Sequence, residues 1–276
     1  MRGVGAISSY EELVMMMELA GAIPIPNETY DVLFPEGAPT IPTGRWISEG
    51  LSGGKFGRSM GDHRSYIEDF VGFCLMNGFN VPKRAVVGSL SIPDRVGSIG
   101  SEAFEHCYNL KCVTIPGSVT DIGDWAFYKC SGLEDVTIGK GVSRIGHSAF
   151  YLCSGLKSAT IPDSVTSIGY WAFYGCRGLT RVAIPDTVTS IGDYSFSGCT
   201  NLTDVTMPDR VTSIGNRAFW ECTGLKSVTI PDSVTSIGEG AFRQCPNLKR
   251  VFVKGNANSV RGLYPWDDGI EFEEVK

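Results

Sequence analysis

A phrase of 23 residues is repeated seven times without insertion between Leu90 and Phe252, and this regularity restricts the folds that the chain can adopt. The clearest copy starts at Ile161 and reads Ile-Pro-Asp-Ser-Val-Thr-Ser-Ile-Gly, followed at fixed distances by Ala-Phe, Cys and Leu. Such a period predicts a solenoid, because each unit has an apolar face that only a neighbouring unit can bury. The slot of the first isoleucine is occupied by Ile92, Ile115, Ile138, Ile161, Ile184, Met207 and Ile230, and Val253 opens an incomplete eighth copy.

Each repeat contains two stretches of alternating apolar residues, which predict two short strands on opposite walls. In one copy the first strand holds Leu225, Val228 and Ile230, and the second holds Val234 and Ile237. The glycine that follows the second strand never varies between copies, which predicts a sharp turn or a positive φ. Residues such as Ser or Asp after that glycine are expected to cap a single helical turn that points Ala, Phe and Cys inward.

A second column of special residues stands two positions after each cysteine. Only glycine and asparagine enter left-handed geometry at low cost, so this column is interpreted as the end of the helical turn. Its members are Asn109, Gly132, Gly155, Gly178, Asn201, Gly224 and Asn247.

Seven of the nine cysteines share one slot of the repeat. The chain has no C-x-x-C pair and only three histidines, so a zinc site has little support. We expect a buried column of reduced thiols that act as small hydrophobic side chains. The column contains Cys107, Cys130, Cys153, Cys176, Cys199, Cys222 and Cys245.

The segments outside the repeats predict modified ends on one elongated domain. A helix is expected at residues 8–21, a proline-rich extended arm at 22–45, and at 63–78 a second helix that caps the stack. After the repeats, residues 260–264 predict a short helix and 270–275 a strand, which together form the opposite cap. The predicted division is an N-terminal region and cap at 1–86, repeats at 87–253 and a C-terminal strand-helix-strand cap at 254–276.

The repeat phrase Leu-x-x-Val-x-Ile-Pro-x-x-Val-x-x-Ile-Gly-x-x-Ala-Phe-x-x-Cys resembles the BspA-like, or Treponema-type, class of leucine-rich repeats. The resemblance covers residues 87–253, with local departures such as Ala159 for valine and Ser195 for alanine. It implies an α/β solenoid, a right-handed superhelix of seven repeats with short parallel strands and single helical turns, capped at both ends. It also implies a bacterial or protist protein, secreted or at the cell surface, with roles in adhesion and protein binding and no catalytic residues.

Several other functions are disfavoured by composition and motifs. The formal charge is −6 and neither end carries a basic run, so nucleic acid is not an expected partner. No window approaches the about 18 apolar residues of a membrane helix, and residues 1–20 are unlike a secretion signal, so the sequence alone leaves the compartment unknown. Gly53-Gly54-Lys55 lacks the flanking residues of a phosphate loop.

No constellation in the chain predicts catalysis, a cofactor or a metal. Asp62 and His63 lie beside Ser65, but adjacency in sequence is not the geometry of a catalytic triad. Aspartate follows the first strand in five of the seven repeats, where it is a common turn residue, and calcium would need more oxygen ligands than one carboxylate per repeat. Threonine columns are explained by β propensity, and their alternation with buried residues argues against an ice-binding array.

Two variable slots flank the inward Ala-Phe pair and are expected to face outward on one side of the helical turn. The alternative is that aromatic side chains in these slots stack between repeats and stabilise the solenoid. Charged residues occupy the slots towards both ends, and an aromatic centre with a charged rim is typical of a recognition surface. The predicted ligand-binding residues are Trp125, Tyr128, Tyr151, Trp171, Tyr174, Tyr194 and Trp220.

The sequence therefore predicts a non-enzymatic module for protein binding or adhesion, with a protein ligand that could be a host or cell-surface protein. One alternative is a carbohydrate-binding module that uses exposed aromatic side chains. Another is an activity located in the N-terminal region, where the residues before the second helix resemble no family. Neither a cofactor nor insertion into a membrane is expected.

Overall fold

A computed structural model describes residues 71–72, 74–76, 78, 80–81, 88–266 and 269–275. The helix predicted at residues 8–21 and the proline-rich arm lie outside the described residues, as does most of the helix predicted at 63–78. Of that second helix, Val71, Cys74 and Leu75 are helical and buried. Gly78, which follows them, has a φ of 71° and donates its N–H to the Leu75 carbonyl. This is the helix end that the glycine predicted.

The repeats form a parallel β-solenoid of about eight turns. Each turn contributes one strand to a long sheet, because the Leu-x-x-Val-x-Ile segment alternates buried and outward side chains. The order of this sheet follows the chain, so every strand pairs with the strands of the preceding and following turns. These strands are β1 (Gly88–Ser91), β3 (Leu110–Ile115), β5 (Asp135–Ile138), β7 (Ser158–Thr160), β9 (Arg181–Ala183), β11 (Asp204–Thr206), β13 (Ser227–Pro231) and β15 (Arg250–Lys254).

A second line of strands follows the first within each turn, as the Val-x-x-Ile stretch predicted. Each strand is two residues long, and the line is divided between a four-stranded and a three-stranded sheet. The strands are β2 (Ser98–Ile99), β4 (Asp121–Ile122), β6 (Arg144–Ile145), β8 (Ser167–Ile168), β10 (Ser190–Ile191), β12 (Ser213–Ile214) and β14 (Ser236–Ile237).

The sheet register converts the sequence period into columns of identical side chains. Val113 pairs with Val136, and Ile122 pairs with Ile145, so equivalent residues of successive repeats are neighbours. Inside the solenoid, the phenylalanines of the Ala-Phe pairs are buried and stack with centroids 4.9 to 5.5 Å apart and planes within 7° of each other. This stack, the phenylalanine ladder, contains Phe104, Phe127, Phe150, Phe173, Phe196, Phe219 and Phe242.

The segment around each Ala-Phe pair is a series of turns, and the single helical turn predicted there is not present in the described repeats. Tyr128 N–H donates to the Trp125 carbonyl at 2.9 Å, three residues back, whereas Phe127 N–H donates to Ala149 of the next repeat at 2.7 Å. Alternate amides therefore bond within the turn and between turns. Trp125 and Lys129 have positive φ values of 55° and 56°, which interrupts any helix.

Both glycine columns exist for close packing of backbone, not for positive φ. None of the invariant glycines or of the Gly/Asn column has a positive φ in the described repeats, so the predicted left-handed terminus is wrong. A Cβ on Gly146 would lie 2.6 Å from the carbonyl carbon of Gly123. A Cβ on Gly132 would lie 2.0 Å from the Tyr108 carbonyl oxygen. At Gly146 and Gly132 successive turns therefore approach too closely for a side chain, although asparagine occupies the second column at positions 109, 201 and 247.

The C-terminal elements follow β15 as α1 (Ala257–Leu263) and β16 (Glu271–Val275), in the order expected from the sequence. β16 pairs parallel to β15 and is the last strand of the nine-stranded sheet. Trp266 stacks on Phe242 with centroids 5.1 Å apart and thereby adds a rung to the phenylalanine ladder. In the part of the chain that is described, no helix has the length and apolar character needed to cross a membrane.

Candidate functional site

A first stack of planar side chains runs along the turns of the central repeats. It consists of Trp125, His147, Trp171, Tyr194 and Arg217. The His147 ring lies 5.4 Å from Trp125 and 4.9 Å from Trp171 between centroids, and Trp171 lies 5.5 Å from Tyr194. Arg217 ends the stack, with its guanidinium 5.6 Å from the Tyr194 ring centroid and Nη1 donating to the Tyr194 hydroxyl at 2.6 Å. The stack is therefore continuous over five repeats.

A second stack consists of Tyr128, Tyr151 and Tyr174. Their ring centroids are 5.2 and 4.7 Å apart, and the planes deviate by 19° and 8°. Burial raises the pKa of Tyr151 in the middle of the stack, and electrostatic interaction with Tyr174 and Tyr128 raises it further. These rings cover each other's faces and present their edges to the surface.

Side chains from the slot before each cysteine flank the start of the second stack. The Lys129 ammonium lies 4.9 Å from the centroid of the Tyr128 ring, and the His106 ring meets the same ring edge-on at 5.6 Å. His106 also bonds to Tyr108 through Nδ1, and its Nε2 lies 3.2 Å from Glu105. Polar and charged groups thus adjoin the aromatic surface at its N-terminal side.

The predicted outward direction of both variable slots holds for most members but not for all. Trp125 is 38% exposed, and the other six predicted aromatic residues are half-buried. Ser148 and Ser197, which occupy the same slots, are buried. Trp220 lies one repeat beyond Ser197 and makes no ring contact with another aromatic residue among those described. Six of the seven predicted residues therefore join two stacks, and Trp220 stands apart.

Sequence reasoning missed two aromatic residues of this surface. Tyr170 is 58% exposed and meets the His147 ring edge-on at 6.1 Å, while His147 links the two tryptophans of the first stack. Both occupy the slot after the invariant glycine, which the sequence analysis treated as a capping position. The signal was present in the sequence as aromatic residues in a slot otherwise filled by polar ones.

The polar residues in the slot after the invariant glycine accept hydrogen bonds from the next turn and do not cap a helix in their own turn. Asp124 Oδ1 accepts from the His147 N–H at 2.8 Å, and Asp193 Oδ1 accepts from the Asn216 N–H at 2.7 Å. Arg144 lies 2.7 Å from Asp124 and 3.1 Å from Asp121, beside the start of the first stack. These contacts fix the turns on which the aromatic side chains stand.

The cysteine column is buried, as predicted, and its cysteines are in the reduced form. Six of these thiols also have a role that the sequence did not indicate, because each donates to the phenylalanine carbonyl of the preceding repeat. The first thiol of the column, Cys107, lies 4.0 Å from the Val81 carbonyl oxygen instead. Cys130 Sγ lies 3.0 Å from the Phe104 oxygen, and Cys176 Sγ lies 3.2 Å from that of Phe150. Burial raises the pKa of Cys199 to about 12, so this thiol is a poor nucleophile.

The described residues contain no group of three or more His, Cys, Asp and Glu side chains arranged to hold a metal ion. The surface that combines exposure with a particular chemical character is therefore the pair of aromatic stacks. Stacked rings with flanking charges can bind a partner by apolar contact and edge interactions, without a chemical step.

Comparison with known protein families gives one match. A family model described as "BspA type Leucine rich repeat region" matches residues 83–185 and 171–262, in six copies. The match spans more than half of the chain and includes both aromatic stacks. No curated protein matches the chain.

Two bacterial leucine-rich repeat proteins of known structure are similar to this chain. A leucine-rich cell surface protein of Faecalibacterium prausnitzii is 25% identical, with a TM-score of 0.47, over 70% of this chain and 64% of that protein. The leucine-rich repeat protein of T. pallidum is 27% identical, with a TM-score of 0.45, over 67% of this chain and 85% of that protein. The chain spans less than two thirds of the length of the first of these proteins.

Proposed function

This chain belongs to the family of BspA-type leucine-rich repeat proteins, as its repeat phrase predicted, and we propose from that premise that it is a non-enzymatic protein-binding module. Its contact surface is the pair of aromatic stacks, with Tyr170 included. Adhesion to a host or cell-surface protein is the form of binding that we propose, and the N-terminal region is not required for it.

One observation carries this proposal, which is the exposure of large aromatic side chains at the centre of the solenoid. Trp125 and Tyr170 are 38% and 58% exposed and both contact the ring of His147. Exposed apolar surface that is contiguous is uncommon without a use, and Trp and Tyr are the residues most enriched at the energetic centre of interfaces. Arg217 at one end and Lys129 at the side supply a charged rim.

Stabilisation of the solenoid by stacking is a sufficient explanation for Tyr151 in the middle of the second stack. It does not explain why Trp125 of the first stack is exposed. Tyr151 has a ring on each face, so its contacts stabilise the solenoid by roughly 0.5 to 1.5 kcal/mol per pair. The Trp125 and His147 rings meet nearly at right angles, with planes 78° apart, and Trp125 remains 38% exposed. The first stack is therefore the better candidate for partner contact, and the second provides support.

The same geometry disfavours carbohydrate as the ligand of the second stack. A sugar binds an aromatic side chain by covering the face of the ring, and in this stack the faces of Tyr128 and Tyr151 already lie against neighbouring tyrosines. Edges remain for a partner, and edges suit aromatic and polar groups of a protein. A glycan array that shows no binding agrees with this assignment, whereas specific glycan binding would replace it.

The experiment compares capture of surface proteins by the wild-type chain and by the double variant Trp125→Ala, Tyr170→Ala. Loss of two central aromatic contacts should lower the captured amount at least tenfold, because single residues of this kind contribute 2 kcal/mol or more at interfaces. The circular dichroism spectrum should not change, since both side chains are exposed.

Tyr108→Ala is the matched control. Tyr108 is 49% exposed, similar to the two target residues, but it lies outside both stacks. Capture should be unchanged in this variant. Equal capture by the double variant and the wild type would rule out the first stack as the contact surface.

A further inference from the structure

We propose that Tyr108 is an acceptor site for acyl transfer, at which an activated acyl donor esterifies the phenol. The inference goes beyond protein binding and rests on a chain of three hydrogen-bonding groups in the first repeat. The Tyr108 hydroxyl is bonded to Nδ1 of His106, and Nε2 of the same ring lies 3.2 Å from the Glu105 carboxylate. Carboxylate, imidazole and hydroxyl therefore follow one another in the order in which enzymes activate a nucleophile.

The position of the carboxylate decides which nitrogen of the His106 ring is the base. An ionised carboxylate can only accept hydrogen bonds, so the neutral ring carries its proton on Nε2 and donates it to Glu105. Nδ1 then has the free lone pair, and the Tyr108 O–H donates to it. The ring is thus in the tautomer that can take the proton of Tyr108.

This arrangement is not imposed by the repeat, because it occurs in one copy only. The slot of His106 holds no histidine in the other six copies, and the slot of Tyr108 holds no tyrosine there. The Tyr128 ring packs nearly perpendicular to the His106 ring at 5.6 Å and fixes its orientation. Tyr108 is 49% exposed, so its phenol is accessible to a dissolved reagent.

The proposed step transfers an acyl group without any other reactant. The phenol oxygen of Tyr108 attacks the acyl carbon while its proton passes to Nδ1 of His106. A carbon–oxygen bond forms, the bond between the acyl carbon and its leaving group breaks, and the imidazolium gives the proton to the leaving group. Glu105 stabilises the positive charge that the ring carries between these two proton transfers, because its carboxylate adjoins Nε2.

Tyr170 provides an internal control, because exposure and the hydrogen-bonded chain lead to opposite expectations. At 58% it is more exposed than Tyr108, and its hydroxyl has no hydrogen-bond partner among the residues that the structure describes. If exposure alone governed the reaction, Tyr170 would be acylated faster. With His106 as the base, Tyr108 is the faster residue.

The test treats the full chain with N-acetylimidazole and follows acetylation of both tyrosines over time by peptide mass spectrometry. A positioned base accelerates reactions by about 10²- to 10⁴-fold in enzymes, and at this open surface we expect Tyr108 to react at least about tenfold faster than Tyr170. Because a proton moves in the same step, the reaction of Tyr108 should be slowed more by D2O than that of Tyr170.

Two variants separate the base from the residue that positions it. His106→Phe keeps a ring in a slot that accepts an apolar side chain at Leu152, and it should lower the rate at Tyr108 at least about tenfold while the rate at Tyr170 is unchanged. Glu105→Gln keeps an acceptor for Nε2–H but removes the charge. It should lower the rate at Tyr108 about fivefold, the difference between hydrogen bonds to charged and to neutral acceptors.

Glu102→Gln is the matched control, since it makes the same change of charge at an exposed position that does not contact the His106 ring among the described residues. Both rates should stay as in the wild type. Glu105→Gln maintains the test if the phenylalanine variant fails to fold, as monitored by circular dichroism.

The inference is overturned if Tyr170 reacts as fast as Tyr108, if His106→Phe leaves the rate at Tyr108 unchanged, or if Glu102→Gln lowers that rate as much as Glu105→Gln does. Its failure is distinct from failure of the proposed function. Tyr108 lies outside both aromatic stacks, so its reactivity and the capture of a partner are measured on different residues.

Discussion

Replacement of Trp266 by alanine should detach the last turn of the solenoid. The Trp266 ring continues the phenylalanine ladder by stacking on Phe242 at 5.1 Å, and it meets Tyr264 and Phe272 edge-on at 5.0 and 5.5 Å. Phe242 is only 3% exposed because this ring covers it. Removal of Trp266 therefore opens the end of the apolar core to water.

The expected cost is about 3 kcal/mol. Truncation of a fully buried tryptophan costs roughly 3 to 5 kcal/mol, and the lower value applies here because Trp266 is half-buried. In a solenoid the stability is a sum of nearest-neighbour terms, so the loss falls on the repeat that borders the cap. A local cost of about 3 kcal/mol corresponds to amide exchange that is about 150-fold faster.

Hydrogen exchange measured by residue is the assay, since it reports opening of single turns. Acceleration in Trp266→Ala should be confined to residues 241–254 and should fade towards the central repeats. Trp125→Ala is the control, because it removes the same side chain from an exposed site. If Trp266→Ala exchanges like the control, or if exchange accelerates equally along the whole solenoid, the cap does not act as described.

Tyr264→Phe examines a single bond of the same cap. In the repeats, each phenylalanine N–H donates to the carbonyl of the residue that precedes phenylalanine in the next turn, as Phe219 does to Ala241 and Phe173 to Ser195, both at 2.8 Å. Phe242 has no further repeat and donates to the Tyr264 hydroxyl at 3.2 Å. Loss of that acceptor should cost about 1 kcal/mol at the Phe242 amide while the ring contacts persist. Unchanged exchange of this amide would contradict the assignment.

Three further outcomes are expected. Gly132→Ala should lower the urea midpoint strongly, because its Cβ would lie 2.0 Å from the Tyr108 oxygen, whereas Gly117→Ala, with no atom within 4 Å, should not. Thiol titration should find few reactive cysteines in the native protein and nearly nine after denaturation, and bridges between successive repeats would contradict this. Burial raises the pKa of Cys199 from its ordinary value of 9.0 to about 12, so the stability that the neutral thiol contributes is complete below about pH 9 and is lost as the pH rises towards 12. Cys199→Ala should reduce the loss at pH 10 by about 1 kcal/mol, as measured by urea denaturation.

The strands and the core could be predicted because they depend on a property that each repeat displays by itself. Residues such as Val113 and Ile115 alternate with polar neighbours, and only one face of such a strand can be buried. The 23-residue period then requires Val113 to lie beside Val136, which the register confirms. Burial of the cysteines follows from the same reasoning.

The backbone of the turns could not be predicted from local preferences. Trp125 and Lys129 adopt a positive φ, which neither residue type favours. The glycines of the same repeat, Gly123 and Gly132, do not adopt a positive φ. Hydrogen bonds between repeats compensate for this cost, because the N–H groups of Trp125 and Lys129 donate to the next turn at 2.8 and 2.7 Å. The preference of one residue is weak compared with a bond that recurs in every turn.

The variable slots of the repeat predicted the candidate site, but they did not predict its geometry. The assumed helical turn placed both slots outward, whereas the actual turns bury Ser148 and Ser197 and bring His147 between two tryptophans. Tyr170 was overlooked for the same reason, since its slot was assigned to capping. Sequence variation between repeats indicated where the aromatic stacks lie. The conformation of the turns determines which side chains reach that surface.

Regular spacing also changes how the aromatic residues should be interpreted. Because every column of the solenoid repeats at about 5 Å, planar side chains in any column stack whether or not they bind a partner. Stacking as such therefore does not distinguish a binding surface from a stabilising one. The distinguishing features are departures from regularity: the exposed Trp125 at the start of the first stack and the arginine that ends it. These departures from the repetition are therefore the positions at which we expect a partner to bind.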